Sequence, residues 1–371
     1  MSTIEVKSPD RNWLNAYFEP SLVAAKPYKI DAPTGITIKL DQNESPWDWP
    51  QHLKDRILAG LSACEWNRYP ESMASSVSVL LARYVGVKPE CLMTSPGSNH
   101  LIGLILEALG RRLPGKVVIT RPSFALFESH AQYAGVVYET WDLDEEFNYP
   151  LDRLPALPDG SLVIFASPNN PTGTSLPKAQ FRALLAKYPK VLFLADEAYY
   201  EFDDDPYTEL LGEFSNILIL RTLSKTMGAA GVRLGYAIGS PELIGTLSKL
   251  RLPYLLNHFT MEAAKIIFTD AEMMAFVQRN VSNAKSEREF VYKRLLAMSP
   301  RLKVFPSKAN FLLIRWPDQA ACESVYLGLK KAGILVRNVS GGPGLSCCLR
   351  VSIGQRQENE AFLEVLQALH A

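Results

Sequence analysis

A lysine in the middle of this chain has neighbours suited to binding a phosphorylated aldehyde. Lys225 follows a short apolar run, 217–220, and lies in a segment rich in small and hydroxyl residues. Thr222 and Ser224 come just before it, and Arg233 follows eight residues later. The lysine amine can form an imine with an aldehyde, while the hydroxyls and the guanidinium can hold a phosphate. A surface lysine in a glycine-rich loop is the alternative interpretation of this stretch alone.

Two further polar segments also follow directly after strand-like apolar runs. Asn170 lies in a proline-rich turn after the run 162–166, and Asp196 follows the run 191–195. A carboxylate directly after a buried strand costs free energy unless a cation meets it, and the pyridinium nitrogen of pyridoxal phosphate is such a cation. The segment of Asn170 by itself could be only a stabilised turn. Together with Lys225, the three segments predict one pyridoxal phosphate site.

A glycine followed by two capping residues predicts an anion site. Gly97, Ser98 and Asn99 precede a strongly apolar run, 100–109, that is typical of a helix. Free N–H groups at the start of a helix attract anions. A helix cap without any ligand is the simpler interpretation of this segment.

The elements that must position these residues alternate between strands and helices from about residue 115 onward. Strands are predicted at 116–120, 136–140, 162–166, 191–195, 217–220 and 235–238, and helices at 124–134 and 178–188. This alternation predicts an α/β fold with a mostly parallel sheet covered by helices. Ligands of such sheets bind beyond the carboxyl ends of the strands, which is where the polar segments fall.

The remaining elements predict a second, smaller α+β domain. We expect an N-terminal arm over residues 1–40 that joins this small domain, a large cofactor-binding domain over 41–270, and the small C-terminal domain over 271–371. Outside the alternating region, helices are predicted at 52–61, 74–84, 261–298, 321–332 and 358–370, and strands at 36–40, 311–315, 334–336 and 349–353.

The composition excludes several classes of protein. With 371 residues, 47% of them hydrophobic, the chain can bury a large core. Basic and acidic residues both number 39, so the net charge is zero, which argues against a nucleic-acid or membrane-surface binder. The five cysteines lack Cys-x-x-Cys spacing, so neither disulfides nor a metal site is expected. The polar N-terminus and the short apolar runs predict a soluble cytoplasmic protein.

Three motifs together resemble the signature of fold-type I pyridoxal phosphate aminotransferases. They are Asn170-Pro171-Thr172-Gly173, Asp196-Glu197-Ala198-Tyr199, and Ser224-Lys225 followed by Arg233. The resemblance covers essentially the whole chain and is strongest for the histidinol-phosphate aminotransferase group. The narrower likeness rests on segments 26–28, 40–46, 67–70, 221–225 and 349–354. The same segments also occur in relatives that act on aromatic amino acids and in phosphothreonine decarboxylases.

The resemblance implies a role for each residue near the cofactor ring. Lys225 would hold the cofactor and move the substrate α-proton, and Asp196 would keep the pyridine nitrogen protonated. Asn170 and Tyr199 would hydrogen-bond the ring oxygen. Phe124 would stack on the ring, although packing in the core at a helix start is the alternative for this residue.

The resemblance also implies residues for the phosphate and for the substrate. Ser98, Asn99, Thr222, Ser224 and Arg233 would surround the phosphate. Tyr69 would reach the cofactor phosphate of a neighbouring subunit, which makes the active unit a homodimer with shared sites; a tyrosine packed in a proline-flanked turn is the alternative. Arg350 would anchor the substrate anion, with Arg337, Tyr28 and Asn43 contributing to the same pocket.

The function expected from this resemblance is transamination between an amino donor and a 2-oxo acid. The resemblance favours histidinol phosphate with glutamate and 2-oxoglutarate, in histidine biosynthesis. One arginine anchor could serve both half-reactions, since it can grip either a phosphate or a carboxylate. An aromatic-amino-acid aminotransferase and a phosphothreonine decarboxylase remain open. A non-catalytic, pyridoxal-phosphate-sensing regulatory domain is a more distant alternative, because the chain carries no basic helix-turn-helix block.

Overall fold

The computed structural model describes residues 3–25, 33–109 and 112–370 of the chain. Its helices are α1 (Arg11–Tyr17), α2 (Pro20–Ala24), α3 (Gln51–Ser62), α4 (Ser75–Val85), α5 (Ser98–Leu109), α6 (Leu126–Tyr133), α7 (Lys178–Lys187), α8 (Pro241–Leu247), α9 (His258–Thr269), α10 (Ala271–Met298), α11 (Gln319–Lys331) and α12 (Arg356–His370). Its strands are β1 (Ile38–Leu40), β2 (Leu92–Ser95), β3 (Val117–Arg121), β4 (Tyr138–Asp142), β5 (Leu162–Ala166), β6 (Leu192–Asp196), β7 (Ile217–Thr222), β8 (Gly235–Ile238), β9 (Lys303–Phe305), β10 (Phe311–Arg315), β11 (Ile334–Asn338) and β12 (Cys348–Ser352).

Seven strands form a large sheet in the order β2-β8-β7-β6-β5-β3-β4. Five neighbouring strands run parallel, namely β7, β6, β5, β3 and β4. Strand β8 runs antiparallel to both of its neighbours, β2 and β7. Every residue of β5 and β7 is buried, as expected for strands covered on both faces. The predicted α/β fold with a mostly parallel sheet is confirmed.

Five strands form a small sheet in the order β1-β11-β12-β10-β9. The N-terminal strand β1 pairs in parallel with β11, more than 290 positions later in the chain, with Ile38 opposite Ile334 and Leu40 opposite Val336. This sheet has its own apolar core, which includes Leu295 of α10 and Phe362 of α12. The turn that follows β1 is thereby held at the small sheet.

The long helical stretch predicted over 261–298 is two helices. Helix α9 ends at Thr269 and α10 begins at Ala271, with Asp270 between them in an extended conformation. The Asp270 carboxylate accepts a hydrogen bond from the Met273 N–H at 2.9 Å and pairs with Arg56. The single-helix prediction was wrong because apolar periodicity continues across the break, while the aspartate caps a new helix.

Candidate active site

Asp196 is the last residue of β6 and lies beside Ala166 of β5 and Leu220 of β7 in the sheet register. Its side chain is 5% exposed, and it accepts a hydrogen bond from the Ala198 N–H at 3.0 Å. Burial is the main reason that the pKa of Asp196 is raised to about 7. A cation bound beside this carboxyl would stabilise its charged form.

Lys225 lies in the loop after β7 and directs its amine toward the turn that follows β1. Its Nζ donates to the backbone oxygen of Gln42 at 2.9 Å and lies 6.0 Å from the centre of the Tyr199 ring. Burial of the ammonium, and then the positive charge of Arg350, lower the pKa of Lys225 to about 8. A lysine with this pKa is partly deprotonated near neutral pH, so it can act as a nucleophile and as a base.

Tyr199 is held by a side chain from the turn after β1. Its hydroxyl accepts a hydrogen bond from Nδ2 of Asn43 at 2.9 Å, and its ring packs edge-on against Phe311 with 5.2 Å between ring centres. The amide oxygen of Asn43 in turn accepts from Ser352 Oγ at 3.0 Å. The structure therefore engages both ends of the Asn43 amide, predicted to bind substrate, with protein groups.

Arg350 and Arg337 form the cationic end of the site. The Arg350 guanidinium donates to Oδ1 of Asn170 and to the backbone oxygen of Asp41, and its central carbon lies 5.4 Å from the centre of the Phe311 ring. Arg337 of β11 is the register partner of Arg350 on β12. Since cross-strand partners share one face of a sheet, both guanidiniums can serve one anion.

The start of α5 and the Arg233 guanidinium meet at a second corner of the site. Gly97 has a positive φ of 87°, and a Cβ there would lie only 2.8 Å from Nη2 of Arg233. Gly235 of β8 packs so closely on the N–H of Ser98 that a Cβ there would overlap it. The guanidinium and the free N–H groups of the first helical turn are thus brought together, which is the arrangement that binds a phosphate.

Two buried hydroxyls lie beside this corner. Thr222 ends β7 and is the register partner of Gly235, which touches the start of α5. Its Oγ1 donates to Ser224 Oγ at 3.0 Å and accepts from the Ser224 N–H at 3.2 Å. The predicted phosphate residues at the end of β7 and at the start of α5 therefore meet at one place.

Asn99 and Phe124 have protein partners. Oδ1 of Asn99 hydrogen-bonds Nε2 of His130 on α6 at 3.0 Å, so the backbone N–H is what Asn99 can offer an anion. Phe124 lies just before α6 and packs edge-on against Phe127, with 5.7 Å between ring centres. Ser98 and Asn99 are the first two residues of α5, two positions before the predicted helix start.

Of the two predicted tyrosines, Tyr69 is described by the structure and is not brought into the cluster. Tyr69 is 79% exposed and stacks on Tyr254, with 4.5 Å between ring centres. Tyr28 lies outside the described residues. The described part of the site is therefore built from the large sheet, from the small sheet, and from the turn that joins β1 to the rest of the chain.

A second polar cluster lies on the opposite face of the large sheet, and sequence reasoning missed it. Arg221 contacts Oε2 of Glu197 through Nε at 2.8 Å and Nη2 at 2.7 Å, and its guanidinium lies 3.5 Å from the centre of the Tyr200 ring. The other oxygen of Glu197 accepts from the Tyr207 N–H at 2.7 Å. An arginine and a glutamate at the ends of two buried apolar runs were the available signal, because such charges need a partner.

The backbone of the turn at residues 41–43 was also missed as part of the site. Its carbonyl oxygens accept from Arg350, Lys225 and Asn310. Every residue has a backbone carbonyl, so the sequence does not show which carbonyl oxygens will accept hydrogen bonds from the site. Only the side chains of this turn could be predicted to belong to it.

The donor set fits pyridoxal phosphate. An amine of lowered pKa, a buried carboxyl without an ion pair among the described residues, and a corner of N–H groups with a guanidinium correspond to its aldehyde, its ring nitrogen and its phosphate. Within the described ranges, no group of three or more His, Cys, Asp or Glu side chains could hold a metal ion. All five cysteines are free thiols.

Comparisons with known proteins identify the family of the chain. The sequence model of the family "Aminotransferase class I and II" matches residues 36–366. The histidinol-phosphate aminotransferase of Aquifex aeolicus is 36% identical over 343 residues, which cover 92% of this chain and 94% of that protein. The enzyme of the same name from Chlorobaculum tepidum is 34% identical over 359 residues, covering 94% of this chain and 99% of that one.

A solved structure shares the fold. Histidinol-phosphate aminotransferase from Sinorhizobium meliloti, in complex with pyridoxal-5'-phosphate, superimposes with a TM-score of 0.82 at 22% identity, covering 95% of this chain and 97% of that one.

In the described part of the present structure, no helix is both long and apolar enough to cross a membrane. From the family match and the near-full-length relatives, the chain belongs to the class I and II aminotransferases, which depend on pyridoxal phosphate.

Proposed function

We propose that this protein transfers the amino group of histidinol phosphate to 2-oxoglutarate, a reaction of histidine biosynthesis. One observation carries the proposal. Lys225 lies near both the buried carboxyl of Asp196 and the guanidinium of Arg350, and Arg337 is the register partner of Arg350 in the small sheet. The relatives named histidinol-phosphate aminotransferase, at 34% and 36% identity over almost their whole length, support the choice of substrate.

Each proposed catalytic residue has a physical basis. Pyridoxal phosphate, when bound, supplies an aldehyde that captures amines and a ring that accepts electrons from the substrate α-carbon. Lys225, with a pKa of about 8, is suited to hold the aldehyde and then to carry the α-proton. Asp196 supplies a buried carboxylate for the ring nitrogen, and Tyr199 with Asn170 supplies hydrogen bonds for the ring oxygen.

The proposed binding residues fall into two groups. We assign the phosphate of the cofactor to the corner formed by Ser98, Asn99, Thr222, Ser224 and Arg233, and its ring face to Phe124. We assign the substrate anion to Arg350 and Arg337, whose planar forks suit both the phosphate of histidinol phosphate and the carboxylates of glutamate. Tyr28 remains a proposed member of this pocket.

The active unit that we propose is a homodimer with shared sites. A group of exposed apolar side chains supports it: Leu58, Trp66, Tyr69, Met73, Leu250, Leu252, Tyr254 and Phe259. Trp66 and Tyr69 are 74% and 79% exposed, which is unusual for aromatic side chains in a monomer. Burial of this surface by a second copy would carry Tyr69 toward the partner's phosphate corner.

The domain division and the location in the cell are further proposals. We divide the chain into the arm at 1–40, the large domain at 41–270 and the small domain at 271–371; the pairing of β1 with β11 supports the place of the arm. The free thiols are compatible with a reducing cytoplasm.

A half-reaction titration tests the proposed substrate. The cofactor-loaded protein is mixed separately with histidinol phosphate, phenylalanine, phosphothreonine and glutamate, and loss of the aldehyde absorbance is followed with time. We expect fast loss with histidinol phosphate and glutamate and slow loss with phenylalanine. Fast loss with phenylalanine and none with histidinol phosphate would overturn the substrate, and a protein that takes up no cofactor would overturn the whole proposal.

A further inference from the structure

Asn43 occupies an unusual position in the turn after β1. Its side chain is 1% exposed, and its backbone has a positive φ of 55°. Asparagine tolerates this left-handed conformation better than most residues. The turn thus directs a fully buried amide into the space between the two sheets.

The hydrogen bonds of Asn43 connect these two sheets. On the side of the large sheet, Nδ2 donates to the Tyr199 hydroxyl at 2.9 Å. On the side of the small sheet, its N–H donates to Ser352 Oγ at 2.8 Å, its Oδ1 accepts from the same hydroxyl at 3.0 Å, and its carbonyl oxygen accepts from Asn310 Nδ2 at 3.1 Å. The side-chain amide thus makes one hydrogen bond to a protein group at each end, and the backbone of Asn43 adds two more to the small sheet.

Ser352 lies two residues after Arg350 on β12, so both side chains project from the same face of that strand. Arg350 itself donates to Asn170, the second residue assigned to the cofactor ring oxygen. The strand that carries the substrate arginine is therefore linked to Asn170 directly and to Tyr199 through Ser352 and Asn43.

We propose that Asn43 is a positioning residue: its amide orients the Tyr199 hydroxyl and tethers it, through Ser352, to the strand that carries Arg350. A phenol that accepts a hydrogen bond becomes a stronger donor, because the two bonds polarise each other. Asn43 thereby strengthens the hydrogen bond that Tyr199 supplies to the cofactor ring oxygen. This inference rests on the proposed function, since it concerns the same site.

The test measures the pKa of the Lys225 nitrogen in the cofactor-loaded protein, from the change of visible absorbance with pH and without substrate. A strong hydrogen bond to the ring oxygen favours the deprotonated state of that nitrogen, so weakening it raises the pKa. We expect Asn43→Gly, which keeps the left-handed conformation, to raise this pKa by about one unit. Ser352→Ala should raise it by less. The charged neighbours of Lys225 are the same in all of these variants.

A double variant separates positioning from other effects. In a Tyr199→Phe background, Asn43→Gly should shift the pKa no further, because its effect passes through the hydroxyl. Asn359→Ala is the matched control: Asn359 is also a buried amide, bound to both backbone groups of Gly354, and its loss should lower the melting temperature without moving the absorbance pKa.

The outcomes distinguish the possible roles. If Asn43→Gly leaves the absorbance pKa at the wild-type value and only raises KM for the amino donor, Asn43 is a substrate ligand and the inference is wrong. An equal shift with and without the Tyr199 hydroxyl would also overturn it. If Asn43→Gly does not retain the cofactor, Ser352→Ala carries the test. Failure of the wild-type protein to bind the cofactor would instead contradict the proposed function.

Discussion

Two buried polar clusters lie on opposite faces of the large sheet, at the same strand ends. The front cluster contains Asp196 and Lys225, and the rear cluster contains Glu197, Arg221 and Glu201. In the front cluster, burial shifts the pKa of Asp196 up to about 7 and that of Lys225 down to about 8. In the rear cluster, Glu197 and Arg221 meet in a direct ion pair, and burial raises the pKa of the nearby Glu201 to about 7. Both clusters are buried, but only the rear one completes its own ion pair.

The difference lies in the missing charge: Glu201 has the Arg221 guanidinium nearby, whereas Asp196 has no ion pair among the described residues. The buried ion pair of Glu197 and Arg221 connects the ends of two strands, and neither partner needs to exchange a proton. Groups whose pKa values are moved close to neutral pH can exchange protons, and they gain stability from a ligand that brings the missing charge. Neighbours in sequence, Asp196 and Glu197, thus have opposite tasks because their side chains project from opposite faces of the sheet.

The largest effect is expected for Lys225→Ala. Removing the amine should lower transamination by about 10⁴-fold or more, because both attachment of the cofactor and proton transfer depend on it. The variant should keep its circular dichroism spectrum and its elution volume in size-exclusion chromatography. Transamination at the wild-type rate would refute the proposed mechanism.

Asp196→Asn should separate activity from stability. Turnover should fall by at least about 100-fold, because the amide cannot supply a negative charge to the ring nitrogen. The cofactor-free variant should nevertheless be more stable than the wild type at pH 8, by on the order of 2 kcal/mol. Thermal melts of both cofactor-free proteins between pH 5 and pH 8 provide the measurement.

The sign of this effect follows from the raised pKa of Asp196. A folded-state pKa of about 7, above the ordinary 3.8, means that the folded protein binds the proton more tightly than the unfolded chain. The contribution of Asp196 to stability is therefore lost as the pH rises from about 4 to about 7, and the advantage of the variant should shrink toward pH 5. A constant difference across this range would contradict the assignment.

Glu197→Gln should act in the opposite direction on stability. It leaves the guanidinium of Arg221 buried with a neutral amide, so we expect a loss of about 3 kcal/mol in the free energy of unfolding. Urea denaturation at pH 8 compares it directly with Asp196→Asn. If both variants shifted stability in the same direction, the contrast between the two clusters would not hold.

Gly97→Ala should have the smallest effect on function, seen in cofactor affinity. The added methyl group would lie against the Arg233 guanidinium at a position of positive φ, so we expect about tenfold weaker binding of pyridoxal phosphate. Gly231→Ala is the control, since a Cβ there meets open space. Equilibrium titration of the cofactor-free proteins compares them, and equal affinities would show that this corner does not hold the phosphate.

The sequence predicted the fold class well because short buried strands alternating with helices leave a clear apolar pattern. It predicted helix ends less well: the start of α6 moved from residue 124 to Leu126, and the break at Asp270 was missed. Capping and the docking of neighbouring elements decide such boundaries, and periodicity does not record them.

What the sequence by itself determined are the chemical groups and their order: an amine, a carboxyl and an amide that each follow a buried strand, and a glycine before an apolar helix. These residues can be recognised in the sequence because a buried charge costs free energy, so a charged residue directly after an apolar strand is unusual. A glycine before a helix is likewise informative because it adopts a positive φ at little cost. Only the tertiary structure decided which side chains meet. The pairing of β1 with β11 brings Asn43 to Tyr199, and strand register places Arg337 opposite Arg350, because contacts between distant segments depend on sheet pairing.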